Sequence, residues 1–285
     1  MCFDFIRTLP QWLLPKQALT VFAGFLADCR IASIKNFLIG WFISRYSVDM
    51  TIAVVEDPKA YPCFNDFFIR HLKSASRPIA LADIISPVDG VISQLGLITQ
   101  GQLLQAKGHE YAVDELLACA PALSQLFDGG QFATFYLSPK DYHRIHMPCE
   151  GTLREMIYIP GQLFSVQPRT ASTIPKLFVR NERLVIFFDT KYGLMAMVLV
   201  GAVVVGAMST VWHGDVFRTK IKSFYNYTSL DQTIVLAKGE EMGHFKLGST
   251  VILLFAKESP IHWQSKLQAG HVVCYGQAIA KAAIK

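Results

Sequence analysis

From Leu194 to Met208 the chain carries no polar side chain, and this stretch narrows what it can fold into. A membrane-crossing helix needs about 20 apolar residues, and Gly201 and Gly206 interrupt the run. Val198, Val200, Val203, Val204 and Val205 favour extended backbone. The stretch therefore reads as two buried strands joined at Gly201. Val251-Ile252-Leu253-Leu254-Phe255 is a second uninterrupted apolar run, again a buried strand. Val91-Ile92, Phe132 to Leu137, Met156 to Ile159 and Leu184 to Phe188 read as further strands. One internal helix is predicted over Val113 to Leu126, with Asp114 near its start. No internal repeat or low-complexity linker divides the chain from 61 to 285, so this part reads as one β-rich domain.

Residues 1–60 have a different pattern. Phe22, Phe25, Leu26 and Cys29 recur at helical spacing, as do Ile34, Phe37, Leu38, Trp41 and Phe42, with Lys16, Arg30, Lys35 and Arg45 around them. The uncharged run from Phe37 to Ile43 is far too short to span a bilayer. Two amphipathic helices over 11–47 are predicted, lying in a membrane interface or packed on the rest of the protein. From Tyr46 to Arg77 the chain reads as a connector with a short helix, in which one of Phe67 and Phe68 is buried and the other half-exposed.

The net charge of +5 is dispersed, with no basic tract or aromatic platform, which excludes nucleic acid as the expected partner and suits an anionic membrane surface. Cys2, Cys29, Cys63, Cys119, Cys149 and Cys274 are scattered and read as free thiols of a reducing compartment. Asp4 and Arg7 argue against a cleavable signal.

Chemistry-bearing residues fall in three stretches: Ser86-Pro87-Val88-Asp89-Gly90, Asp141-Tyr142-His143-Arg144-Ile145-His146-Met147-Pro148, and Phe245-Lys246-Leu247-Gly248-Ser249-Thr250. Gly248 permits a backbone conformation in which the Ser249 hydroxyl can attack its own preceding carbonyl. A serine hydroxyl needs a base to take its proton, and Asp89, His146 and Ser249 are the residue types of a base-orienting triad. Taken singly, Asp89 is equally a turn aspartate and Gly-Ser-Thr a turn entering a sheet. His143, His146 and Cys149 have the spacing His-x-x-His-x-x-Cys, but Pro148 restricts helix there and no further ligand type completes a set, so no metal is expected.

These three blocks, with Phe64 to Arg70, Gln105 to His109 and Pro160 to Val166, resemble the membrane-associated phosphatidylserine decarboxylases, pyruvoyl enzymes of the bacterial and mitochondrial type. The likeness runs from about Phe64 to Phe255. The resemblance implies that His146, oriented by Asp89, deprotonates Ser249, and that the chain then splits between Gly248 and Ser249. Residues 1–248 become a large β subunit, and 249–285 a small α subunit whose first residue becomes a covalent pyruvoyl group. That group condenses with the amine of phosphatidylserine and accepts electrons as carbon dioxide leaves. His143 is implied as the acid that reprotonates the α-carbon. Burial lowers the pKa of such a histidine and a nearby phosphate raises it, so sequence leaves its charge open. Gln167 stands where many relatives have asparagine, and the polar pair His213 and Asp215 falls outside the pattern, with His213 read as a surface residue.

The expected protein is thus α+β, with a β-dominated catalytic domain (61–285) and N-terminal amphipathic membrane-associated helices (1–60). It is expected on the cytoplasmic face of the cell membrane, as an obligate heterodimer of its own fragments, and the resemblance is compatible with pairing of two such heterodimers. Two other readings use the same residues: a serine or metal hydrolase that stays in one piece, and a lipid-binding protein that tolerates loss of Ser249.

Overall fold

A computed structural model describes residues 16–203, 207–216, 218–228, 233–246 and 249–283, with Ser249 described by its backbone alone. The first described elements are two helices, α1 (Lys16–Ala27) and α2 (Ala32–Tyr46). Strands dominate from Ile84 onward, giving a mixed α+β architecture weighted toward β.

Among the described residues the largest sheet has nine strands, all paired antiparallel. Ser249–Phe255 lies near its middle, bonded to Gln131–Leu137 on one side and Gly193–Val200 on the other. Val251, Leu253 and Phe255 join one apolar cluster, and Ile252 and Leu254 join another on the opposite face. A strand covered on both faces has no polar side to alternate with, which is why this segment reads as a continuous apolar run. The same holds for Gly193–Val200: Met195, Met197 and Leu199 face one cluster, and Ala196 and Val198 the other.

A second sheet orders its four strands Gly214–Val216, Ala207–Thr210, Glu241–Lys246, Arg144–His146. Six connections pass between the described strands of the large sheet and of this small one, and three of them meet at one end of the large sheet. These three are 138–143, following Gln131–Leu137; 201–206, following Gly193–Val200; and 247–248, leading into Ser249–Phe255. All three leave the large sheet at one end, since Ser249 pairs with Leu137 and Thr250 with Val200. The apolar stretch 194–208 therefore supplies one strand to each sheet. Its second strand starts at Ala207 rather than directly after Gly201, and residues 204–206 lie outside the described residues.

The predicted internal helix is two short ones, Val113–Leu117 and Pro121–Gln125. Ala118 takes a left-handed conformation (φ 47°) that ends the first turn, and Pro121, which cannot donate a backbone hydrogen bond, starts a new helix. The N-terminal helices pack on the short helix Phe64–Phe68. Ile39 and Phe42 of α2 bury against Phe64, Phe67 and Phe68, and Asn65 Nδ2 donates to Asp28 Oδ1 at 2.7 Å. This wall buries both Phe67 and Phe68, correcting the expectation that one is half-exposed. The outer faces carry Phe22, Phe25, Phe37 and Trp41, all exposed. Among the described residues no helix is long and apolar enough to cross a membrane. Residues 11–15 of the predicted amphipathic region lie outside the described residues.

Candidate active site

The connection 138–143 turns the chain between the two sheets and carries His143 at its far end. His143 is fully buried. Its ring stacks on Phe68, with centroids 4.0 Å apart, and its Nε2 lies 3.1 Å from the Ser138 carbonyl. A carbonyl only accepts, so Nε2 carries the proton and Nδ1 presents a lone pair that has no partner among the described residues. Burial first, then the Arg70 charge, lowers the pKa of this imidazole to about 3. His143 also accepts the Phe245 N–H on its carbonyl at 3.1 Å, one residue before Lys246 closes its strand. The residue therefore touches both sides of the crossing: the strand end before 247–248 through its backbone, and the loop after Leu137, partner of Ser249, through its ring.

His146 ends the neighbouring strand. Its backbone N–H donates to Pro87 O at 2.9 Å, which brings the turn before Asp89 alongside. The ring is held on three sides. Nδ1 donates to the Gly239 carbonyl at 3.0 Å, Nε2 accepts from the Tyr142 hydroxyl at 3.1 Å, and Tyr275 stacks on it with centroids 3.7 Å apart. Burial lowers its pKa to about 4, so it is a neutral base at physiological pH.

Asp89 is buried, and its partners are Arg77 and the backbone of Tyr275. Arg77 Nε lies 2.9 and 3.1 Å from the two carboxylate oxygens, with Nη2 at 2.5 Å, and Tyr275 N–H donates to Oδ1 at 2.8 Å. Gly90 lets this turn close on the sheet: a Cβ there would sit 2.5 Å from Tyr136 O. Asp89 thus reaches His146 through Tyr275, whose hydroxyl donates to the same Gly239 carbonyl at 2.7 Å.

The two residues flanking the expected scissile bond are only partly described. Gly248 lies outside the described residues, and of Ser249 the backbone alone is given. On either side the chain is firmly held. Lys246 Nζ pairs with Asp215 at 2.6 Å, and Thr250 is bonded into both neighbouring strands.

Sequence reasoning missed Arg77, Tyr275 and Phe68 as parts of this site; none has a local signal, because each gains its role from a partner elsewhere in the chain. Gln105 is a structural pin, donating to Ala171 O and Ile174 O and accepting from Leu177 N. His213 is exposed, as is Gln167. Cys149 is buried beside Met195. The five described cysteines are free thiols.

Comparison with known proteins matches residues 64–281 to the family model for phosphatidylserine decarboxylase, and residues 6–47 to a second model described as PSD. A phosphatidylserine decarboxylase proenzyme of Legionella pneumophila (strain Lens) is 56% identical over 277 residues, covering 97% of this chain and 98% of that protein. Proenzymes of the same name from Delftia acidovorans and Vibrio vulnificus are 51% and 49% identical, each over 97% of this chain. With a family model spanning most of the chain and near-complete coverage by such relatives, the chain belongs to the phosphatidylserine decarboxylase family of enzymes.

Proposed function

We propose that this protein is made as a precursor, splits itself between Gly248 and Ser249, and then decarboxylates phosphatidylserine to phosphatidylethanolamine. The observation that carries this reading is the position of Ser249. It is the first residue of a strand bonded on both sides, directly after a two-residue crossing from another sheet. A break at that crossing leaves each new end held by its own sheet, so the fold tolerates the cut.

In this reading a base takes the Ser249 proton and the hydroxyl oxygen attacks the Gly248 carbonyl carbon. The peptide bond becomes an ester, and elimination across Ser249 releases the carboxylate of Gly248. The residue left at position 249 takes up water and loses ammonia, giving a pyruvoyl group. When formed, that group supplies a ketone for the substrate amine and a sink for the electrons released with carbon dioxide. We assign the base to His146, neutral and oriented by Gly239 and Tyr275, with Asp89 acting through Tyr275. His143, whose Nδ1 is unpartnered among the described residues, is assigned the role of acid at the substrate α-carbon, Nδ1 first taking up a proton, such as one released by the substrate ammonium on condensation, and then delivering it.

The fragment 249–285 has 285 − 248 = 37 residues, too few to fold alone. Its first strand sits between two strands of the larger fragment, which supports an obligate heterodimer. Exposed Phe22, Phe25, Phe37 and Trp41 on α1 and α2 support peripheral attachment to the membrane that holds the substrate, and free thiols support its cytoplasmic face.

Intact-mass spectrometry on wild-type and Ser249→Ala protein tests the reading. The wild type is expected as two fragments divided at Gly248, the smaller one blocked at its amino end and reducible by borohydride, while the substituted chain stays whole. A wild-type chain that stays whole yet turns over a substrate overturns self-splitting and favours the hydrolase reading.

A further inference from the structure

Tyr142 has no role in the chemistry assigned above, yet it covers the one atom on which that chemistry turns. His146 Nδ1 donates to the Gly239 carbonyl, so the single lone pair of the neutral ring is on Nε2. The Tyr142 hydroxyl sits on that lone pair at 3.1 Å. Both residues are buried, and Tyr275 closes a face of the imidazole. While these contacts hold, the next proton to reach Nε2 is the one that Tyr142 carries.

The large sheet sets the order of the groups around this pair. At one end of it Ser249 pairs with Leu137, Tyr136 with Val91, and Gly90 with Val273. Four neighbouring strands therefore end in a row. Ser249 opens the first, Leu137 closes the second and leads into the loop carrying Tyr142, Gly90 opens the third after Asp89, and Val273 closes the fourth and leads to Tyr275. Neighbouring strands stand about 4.8 Å apart, so the first and fourth are separated by roughly 14 Å. His146 is held toward the far side of the row, stacked on Tyr275, whose N–H is fixed by Asp89. Tyr142 leaves from the strand beside Ser249 and reaches back to His146. In strand order it lies between the serine and the base.

We propose that Tyr142 is the proton relay of the splitting step, its oxygen taking the Ser249 hydroxyl proton while its own proton passes to His146 Nε2. The inference rests on the assignment of His146 as the base. The Ser249 O–H bond and the original Tyr142 O–H bond break; a new O–H forms on Tyr142 and an N–H on His146. The serine oxygen gains the electron pair with which it attacks the Gly248 carbonyl carbon, the imidazole gains the positive charge, and the phenol ends neutral. Running the two transfers backwards delivers the proton to the Ser249 nitrogen as the peptide C–N bond breaks and the ester forms. Burial pushes the Tyr142 phenol pKa up and so disfavours a free tyrosinate, which makes the two transfers concerted. Glu241, paired with Arg144, stands near enough to favour the imidazolium.

The test follows splitting of the full chain made by pulse-labelled cell-free synthesis, comparing wild type, Tyr142→Phe and His146→Ala. The phenylalanine keeps the ring and removes only the hydroxyl. Tyr142→Phe is expected to slow splitting by about a hundredfold, the usual worth of a positioned proton-transfer group. Its urea midpoint in the unsplit Ser249→Ala background is expected to stay close to that of Ser249→Ala alone, which a merely structural role for the hydroxyl would not allow. A slowing below about tenfold overturns the relay, since His146 then takes the serine proton without it. His146→Ala separates this failure from failure of the underlying reading. If it stays whole while Tyr142→Phe splits like wild type, only the relay falls; if it splits like wild type, the base assignment falls with it. Should Tyr142→Phe misfold, the wild type decides, with splitting rates measured in mixtures of light and heavy water after synthesis is stopped. A bowed dependence on deuterium fraction is expected for two protons in transit, and a straight line overturns the relay.

Discussion

Tyr275 lies flat against His146, ring centroids 3.7 Å apart and planes 20° from parallel. The two residues also share one acceptor, the Gly239 carbonyl, at 2.7 Å from the tyrosine hydroxyl and 3.0 Å from His146 Nδ1. In the proposed processing scheme Tyr275 ends up in the small fragment and His146 in the large one. In that scheme the contact orients the base before the cut and ties the pieces together after it.

Replacing this tyrosine separates its two contributions. Tyr275→Phe keeps the stack and loses one neutral hydrogen bond, worth about 1 kcal/mol, so splitting should slow by no more than roughly fivefold. Tyr275→Leu removes the flat ring as well, and a misoriented base should slow splitting by at least about tenfold. Intact-mass time courses after purification from fresh cells read both rates. A Leu variant splitting at the wild-type rate would remove Tyr275 from the machinery.

The Arg77–Asp89 pair makes a sharper energetic prediction. Both side chains are largely buried, at 17% and 9% exposure, and the carboxylate also takes the Tyr275 N–H. Arg77→Ala leaves that carboxylate buried without its cation, a loss of about 3 kcal/mol. Arg77→Met combined with Asp89→Asn removes both charges and should recover part of it. Urea unfolding in the unsplit Ser249→Ala background measures each step. If the double variant is no more stable than Arg77→Ala, the penalty does not come from an unpaired charge.

How much of this was legible beforehand depended on how far each residue's partners lie along the chain. The buried strand Val251 to Phe255 was readable because burial on both faces leaves a local signature. The break in the predicted helix at Ala118 was not, since alanine is a strong helix former and its left-handed conformation is imposed by the turn into Pro121. Asp89, His143 and His146 stood out by residue type and by their surroundings in sequence. Their actual partners did not: Arg77 lies 12 residues from Asp89, and Tyr275 lies 186 away from it. Orientation of His146 by Asp89 was implied by the resemblance, without a route; in the structure Asp89 accepts from the Tyr275 amide and the Tyr275 ring stacks on His146. The burial of both Phe67 and Phe68 required α2 as a wall, which no local pattern announces.

The buried histidines give the fold a pH dependence of definite sign. Burial lowers His143 to about 3 and His146 to about 4, against about 6.5 in an unfolded chain. Between these values the unfolded chain binds protons that the folded one refuses, so stability rises with pH across the window. The contribution is complete above about pH 6.5 and is lost progressively as pH falls toward the folded values. Urea midpoints of Ser249→Ala protein should therefore drop from pH 7.5 to pH 5. His143→Leu should start lower, through lost packing, yet fall less steeply. Parallel slopes for the two proteins would mean that His143 is not the proton-refusing group.

The outer faces of α1 and α2 predict how the protein meets its lipid. Phe25 and Phe37 are 75% and 71% exposed, while inward-facing Ile39 and Phe42 hold the helices to the domain. Burying a phenylalanine in an apolar phase contributes about 1.5–3 kcal/mol, so losing two should weaken membrane binding by about a hundredfold or more. Phe25→Ser combined with Phe37→Ser should accordingly leave the protein in the supernatant after sedimentation with phosphatidylserine-containing vesicles. Its thermal midpoint should stay within experimental error of wild type, because neither ring is packed in the folded state. Turnover of water-soluble glycerophosphoserine should also persist, which separates attachment from chemistry. A double variant that pellets with vesicles like wild type would leave these aromatics without a role in binding the bilayer.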